Sequence, residues 1–233
     1  MQNLFSFEGK RCLFTGCFSG MGEAAAQIVQ SLGGSIVAVD IKRPTTYEFE
    51  AFHEVDLRDA AAIEEMVNAV KAEGAIDRVF YCAGLPGTFP VLDVMGVNFV
   101  GLRHLLDQVV PHMPSNGAFA SISSAAGMGW QGLMQQTMAL FQTSSHADAM
   151  KWVEENQSEG WLEPYSFSKA CTIAYTLWRG PTLTSEYGVR VNCIAPGPTD
   201  TPMMPAFGTS LSETRQPLPE RVRTAPAPAQ PAD

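Results

Sequence analysis

The sequence predicts an α/β fold, a doubly wound parallel sheet with helices on both faces. Three observations carry that prediction. Apolar runs of strand length alternate with amphipathic stretches over the first two-thirds of the chain. A glycine-rich turn, Thr15-Gly16-Cys17-Phe18-Ser19-Gly20-Met21-Gly22, joins the first apolar run to the first amphipathic stretch. An acid, Asp40, closes the second run, 18 residues after Gly22.

The elements follow in order. Arg11–Thr15 is a short apolar strand. Residues 20–32 place Ala24, Ala25, Ile28, Val29 and Leu32 on one helical face, and Gly33-Gly34 stops them. Ser35–Asp40 is the second strand. Residues 58–73 repeat Ile63, Met66, Val67 and Val70 at helical spacing, with Gly74 as the stop. A strand at 78–82 precedes a helix at 94–110, which ends near Pro111. Ala118–Ile122 is a further strand. Residues 165–186 read as mainly helical, with a kink or break expected at Gly180-Pro181, because proline loses a backbone bond there. Residues 190–195 form a last strand before Pro196-Gly197.

Two stretches interrupt this rhythm. Residues 127–163 form a helical insert holding Trp130, Trp152 and Trp161, with helices expected at 133–141 and at His146–Asn156 and a cap at Ser145 with Asp148. This insert is expected either to cover a bulky apolar or aromatic substrate or to pack as a helical subdomain or dimer surface. The tail after Met204 is rich in Pro, Ala, Thr and Arg and suggests neither strand nor amphipathic helix. The expected organisation is thus a domain over 1–204 and a disordered tail over 205–233.

Composition narrows the function. Hydrophobic residues are 45% and charged residues 17%, which excludes wholesale disorder. With 15 basic against 24 acidic residues the formal charge is −9, so neither nucleic acid nor an anionic membrane is an expected partner. Cys12, Cys17, Cys82, Cys171 and Cys193 form no C-x-x-C pair, and the four histidines lack metal-ligand spacing, so no disulfide framework or metal site is expected. Residues 1–10 lack the apolar core of a signal peptide, and no apolar run reaches membrane-spanning length. A cytoplasmic protein acting on small molecules is expected.

The glycine turn suits a nucleotide. Its glycines let backbone approach a pyrophosphate, and the helix beyond offers free N–H groups and a positive dipole end. A plain tight turn is the structural alternative. Asp40 can accept both hydroxyls of an adenosine ribose and would repel a 2′-phosphate, which favours NAD over NADP, although Lys42 and Arg43 could soften the preference. A solvated strand end is the alternative for Asp40. Asp56 could meet the adenine amino group or cap the following helix.

Tyr165-Ser166-Phe167-Ser168-Lys169 places Tyr and Lys at i and i+4, on one helical face. With the glycine turn, Asn98 in V-N-F-V-G and Pro196-Gly197, the order of motifs resembles the short-chain dehydrogenase/reductase family, from about Gly9 to Pro202. The long separation of Ser124 from Tyr165, and Cys82-Ala83-Gly84 in place of N-A-G, resemble the branch of 3α-hydroxysteroid dehydrogenase/carbonyl reductases and coniferyl-alcohol dehydrogenases. The resemblance implies a Rossmann-like fold and an NAD-dependent oxidoreductase interconverting a secondary or aromatic alcohol and its carbonyl compound.

In that reading Tyr165 is the acid/base. Its ordinary pKa of ~10 is too high for a base near neutrality, and the Lys169 cation is expected to lower it. Ser124 would polarise the substrate oxygen, with adjacent Ser123 as the fallback, and Asn98 would complete a proton relay. Cofactor contacts are expected from Thr15, Gly16, Ser19, Gly20, Met21 and Gly22, and from Asp40, Asp56 and Leu57. Cys82, Ala83, Gly84, Pro196, Gly197, Thr199 and Thr201 complete that set, with Tyr165 and Lys169 shared. A homo-oligomer is implied.

The tail departs from the family, which continues past Pro-Gly with a covering helix and a final edge strand. Without that strand, residues 190–195 become a sheet edge, the substrate cleft loses cover and the loop around Thr201 loses an anchor. A shifted reading frame or a natural short variant would each give such a tail. A truncated, non-catalytic nucleotide-binding or interaction protein is the alternative reading.

Overall fold

The computed structural model describes residues 5–157 and 163–213, with side chains to residue 208. Trp161 and the tail expectation for 214–233 lie outside the described residues. Six parallel strands form one sheet in the order β3-β2-β1-β4-β5-β6. They are β1 (Arg11–Thr15), β2 (Ser35–Asp40), β3 (Ala51–Glu54), β4 (Arg78–Tyr81), β5 (Ala118–Ile122) and β6 (Arg190–Ile194). From β1 the chain winds outward to β3, then returns to β4 on the other side of β1. The carboxyl ends of β1 and β4 are therefore where the winding reverses, and there a crevice forms. Cys82 N–H donates to the Thr15 carbonyl at 3.0 Å and ties the two ends together.

Strand side chains alternate between two cores. Leu13, Val37, Val79, Tyr81 and Phe119 face α2 (Ala60–Glu73), α4 (Gly101–Val109) and α7 (Pro164–Tyr187). Cys12, Phe14, Ile36 and Ala38 face α1 (Gly20–Ser31), and Phe14 stacks on Phe80 at 4.3 Å. Register places Asn192 beside Ala120 and Phe80 on this second face. Cover is thin at that end, and Ile194 is 60% exposed. Among the described residues β6 is the sheet edge.

Local chemistry sets the helix ends. Asp59, not Asp56, caps α2, accepting from Ala61 N and Ala62 N at 2.9 and 3.2 Å. All four apolar residues singled out on α2 are buried. The helix expected from 94 begins earlier, as α3 (Val91–Met95), and passes through a π turn at Gly96–Val100 into α4. No break occurs at Pro181; α7 runs on to Tyr187. The carbonyl that loses its donor there belongs to Leu177, which is 57% exposed, so water can replace the missing bond. A second correction concerns the tail: Met204–Glu213 is helical (α8), although no amphipathic helix was expected after Met204.

The insert is packed. It contains α5 (Met134–Phe141) and α6 (His146–Asn156), the latter capped by Ser145 as expected. Leu140, Phe141, Ala149 and Val153 join the main core. Arg103 of α4, only 5% exposed, donates to the carbonyls of Leu140 and Ser145, each at 3.0 Å, and to Thr143 Oγ1 at 2.9 Å. It pins the insert to the body. Arg103→Met removes three charge-assisted hydrogen bonds between α4 and the insert, and an expected loss of roughly 3 kcal/mol of unfolding free energy is measurable by urea denaturation.

Candidate active site

The crevice between β1 and β4 holds a cavity of about 420 Å³. Its floor is the glycine turn. Gly16 and Gly20 have φ of +66° and +62°, which favours glycine. A Cβ on Gly16 would fall 2.3 Å from Ala83 Cα, and one on Gly22 would fall 2.1 Å from the Gly16 carbonyl oxygen. Only hydrogen fits at either place. Ser19 precedes α1 and makes no side-chain capping bond, so the first-turn N–H groups stay available to a ligand. A cradle of backbone donors at a helix N-terminus fits a pyrophosphate.

Most of the expected cofactor set lines this cavity: Gly16, Ser19, Gly20, Met21, Gly22, Asp40, Asp56, Leu57, Cys82, Ala83, Gly84 and Thr201. Thr15 does not; it is fully buried beneath the turn and its Oγ1 has no hydrogen-bond partner. Pro196, Gly197 and Thr199 lie outside the lining, and Thr199 Oγ1 donates to the Gly197 carbonyl at 3.1 Å. Thr201 sits against Gly20, its Cβ 3.4 Å from where a Gly20 Cβ would stand.

Asp40 accepts from Phe18 N at 3.0 Å and Lys42 N at 3.1 Å, one bond per carboxylate oxygen. Each oxygen keeps a lone pair for a further donor. Lys42 lines the cavity beside it, whereas Arg43 turns away and stacks 4.8 Å from the Phe49 ring. Asp56 is engaged by Arg58, whose Nη2 donates at 2.6 Å and whose backbone N–H donates at 3.0 Å. These bonds hold the Asp56 carboxyl below its ordinary pKa. Arg58 also reaches Asp93 on α3 and so bridges the cavity mouth. The sequence reading missed Arg58; only the spacing D-x-R hinted at it.

The catalytic candidates stand behind the cavity wall: Tyr165 and Lys169, expected among the cofactor contacts, are not in the cavity lining, nor are Asn98 and Ser124. Gly84 is the junction: a Cβ there would lie 3.5 Å from both Asn98 Oδ1 and Lys169 Nζ. Ser124 Oγ accepts from Ala126 N at 3.2 Å and stands near enough to Tyr165 to influence its hydroxyl. Ser123 is excluded as the alternative because its Oγ donates to the Lys169 carbonyl at 2.7 Å and is buried. Asn98 spends both Nδ2 protons, on the Leu85 carbonyl and Ser168 Oγ at 3.0 Å each, while its Oδ1 accepts from Leu85 N at 2.7 Å. Its side chain fixes the loop after β4.

One electrostatic expectation is corrected. Burial raises the Tyr165 hydroxyl above its ordinary pKa, and the nearby Ser124 hydroxyl only partly offsets this. Lys169 Nζ stands 5.5 Å from the Tyr165 ring centre and donates to the Ile122 carbonyl at 2.8 Å. Buried itself, Lys169 is pushed down to about 8. The pair as it stands does not generate phenolate; both groups are shifted toward their neutral forms by the same loss of water.

The comparisons agree with this architecture. A family model described as enoyl-(acyl carrier protein) reductase matches residues 16–227. Coniferyl-alcohol dehydrogenase of Pseudomonas sp. (strain HR199 / DSM 7063) is 28% identical over 209 residues, covering 88% of this chain and 79% of that protein. The 3-alpha-hydroxysteroid dehydrogenase/carbonyl reductase of Comamonas testosteroni is 29% identical over 225 residues, covering 90% and 82%. The crystal structure of the 3-alpha-hydroxysteroid dehydrogenase from Pseudomonas sp. B-0831 complexed with NADH superposes with a TM-score of 0.71 at 24% identity, covering 96% of this chain and 85% of that one. The chain is an α/β oxidoreductase with a Rossmann-like sheet. It belongs to the short-chain dehydrogenase/reductase family.

Lys169 leaves a mark on stability. Its folded pKa of about 8 lies below the ordinary 10.5, so between those values the unfolded chain holds the extra proton. Its contribution then favours the folded form increasingly as pH rises through that window. The difference in unfolding free energy, wild type minus Lys169→Met, is expected to climb there and to be flat below it; urea titrations at stepped pH measure it.

Proposed function

We propose that this protein is an NAD-dependent oxidoreductase that interconverts a secondary or aromatic alcohol and its carbonyl compound, with Tyr165 as acid/base. The observation that carries the reading is buried Lys169 standing 5.5 Å from the Tyr165 ring centre and directly behind Gly84, which lines the glycine-floored cavity, with Ser124 near Tyr165. A bound nicotinamide dinucleotide would supply the hydride acceptor or donor. The chain's residues fit that group: backbone N–H groups of the glycine turn face its pyrophosphate, and Asp40 has acceptor capacity for ribose hydroxyls. Lys169 and Asn98 flank Gly84, where the nicotinamide end would lie.

In alcohol oxidation it is the ionised Tyr165 Oη, the minor form near neutrality, that takes the hydroxyl proton as the C–H hydride departs to the nicotinamide acceptor. In reduction it returns that proton to the carbonyl oxygen. Ser124 Oγ donates to the same oxygen and holds it against Tyr165. The high Tyr165 pKa suits the proton-donating direction near neutrality, because the phenol is then protonated. Substrate class rests on the walls. Met128 and Met134 of the insert are 60% and 40% exposed, a short distance along the chain from Ser124, and Phe207 of α8 lies edge-on to Tyr165 at 4.9 Å. Adaptable thioethers and a ring favour a bulky apolar or aromatic substrate.

Two outcomes test this. With NAD or NADH and a panel of hydroxysteroids, aryl alcohols and their carbonyl partners, wild-type turnover is expected to fall at least ~1,000-fold in Tyr165→Phe, read by absorbance of the reduced nicotinamide. Unchanged turnover in that variant contradicts the assignment. Asp40→Ala is expected to cut the NAD-over-NADP preference in kcat/KM by at least ~10-fold, since it removes a charged acceptor and a repulsion together.

A further inference from the structure

The first turn of α7 contains a carboxylate that the proposed chemistry does not use. Glu163 is the helix cap. Its Oε1 accepts from Tyr165 N at 2.9 Å, and its Oε2 accepts from Ser166 N at 3.1 Å and from Ser166 Oγ at 3.2 Å. Pro164, at the first helical position, needs no acceptor. The carboxylate is thus fixed by the backbone of the very residue that carries the phenol. It is fixed from the other side as well. A Cβ on Gly87 would lie 1.6 Å from Glu163 Oε1, so the loop after β4 passes directly against the carboxylate. The same loop carries Leu85, which lines the cavity and is held by Asn98.

We propose that Glu163 is a positioning residue of this site: it clamps the start of α7 to the loop after β4, so setting where the Tyr165 ring stands, and keeps a carboxylate charge bonded to the backbone of that residue. The inference rests on Tyr165 being the acid/base. Around Tyr165 stand the Ser124 hydroxyl from the turn after β5, the Lys169 ammonium one turn along α7, the Phe207 ring from α8 and Glu163 itself. Of these, Glu163 and Lys169 carry charge, and they act in opposite senses. Lys169 loses its charge above about 8, which removes the cation that opposes Glu163. Burial and Glu163 push the Tyr165 hydroxyl the same way, and Ser124 pushes it back. Glu163 therefore favours the proton-donating form of Tyr165.

The test reads Tyr165 directly and needs no turnover. In protein labelled with 13C at tyrosine Cζ, the Tyr165 signal is assigned by its loss in Tyr165→Phe. The tyrosinate fraction is then followed at about pH 10, near the ordinary tyrosine pKa. Glu163→Gln keeps an oxygen acceptor for the cap and removes the charge. The expected result is a tyrosinate fraction about 3-fold higher than wild type at low salt, with the gap closing in ~1 M salt because Glu163 is exposed. Glu163→Asp, which retains charge, is expected to stay with the wild type. Equal fractions in Glu163→Gln and wild type, with circular dichroism showing both folded, overturn the proposal. A shift seen in a protein without turnover on the alcohol panel upholds the electrostatic role and overturns the acid/base reading instead. Normal turnover with no shift does the reverse.

Discussion

The structure depends on one close approach of backbone to backbone. The turn after β1 lies so near the chain leaving β4 that Gly16 has no room for a methyl group against Ala83, nor Gly22 against the Gly16 carbonyl. This contact closes the gap between the two halves of the sheet where the winding reverses. It also leaves the first-turn N–H groups of α1 pointing into a cavity rather than into a side chain. Strand order, cavity position and the availability of those donors all follow from the absence of two side chains.

A second constraint is dehydration behind the wall of that cavity. Gly127 has no room for a Cβ against the backbone of Lys169, so the turn after β5 packs hard on α7 and covers the lysine. Water excluded from Lys169 and Tyr165 shifts both toward neutrality. The two groups do not stand as a preformed ion pair. The nearby Ser124 hydroxyl and the charge of Glu163 act on the phenol in opposite senses.

The fold was legible because its signals are local. Alternating runs placed β1, β2 and β5 to the residue, and helical spacing named the four buried positions of α2. The glycine turn and Asp40 announced the nucleotide-type crevice. Some contacts were not visible along the chain. Asp56 was open to adenine or a cap; Asp59 caps α2 instead, while Arg58 engages Asp56 and reaches on to Asp93. The bonds of Asn98 to Leu85 and Ser168 join elements distant in sequence. Met204–Glu213 lacks the apolar periodicity that marks a helix, yet the structure places a helix there, with Phe207 against Tyr165.

By itself the sequence determined the order of strands and helices, the need for glycine at the first turn and the helical pairing of Tyr165 with Lys169. These depend on backbone sterics and on spacing along one element, which neighbouring residues fix among themselves. Only the tertiary structure decided that Ser124 rather than Ser123 meets Tyr165, because one residue's shift along the chain turns a side chain to the opposite face. It alone decided the direction of the Tyr165 and Lys169 pKa shifts, because that sign reflects how much water the surrounding elements exclude. Burial is a property of packing between distant segments, and no short stretch of sequence carries it.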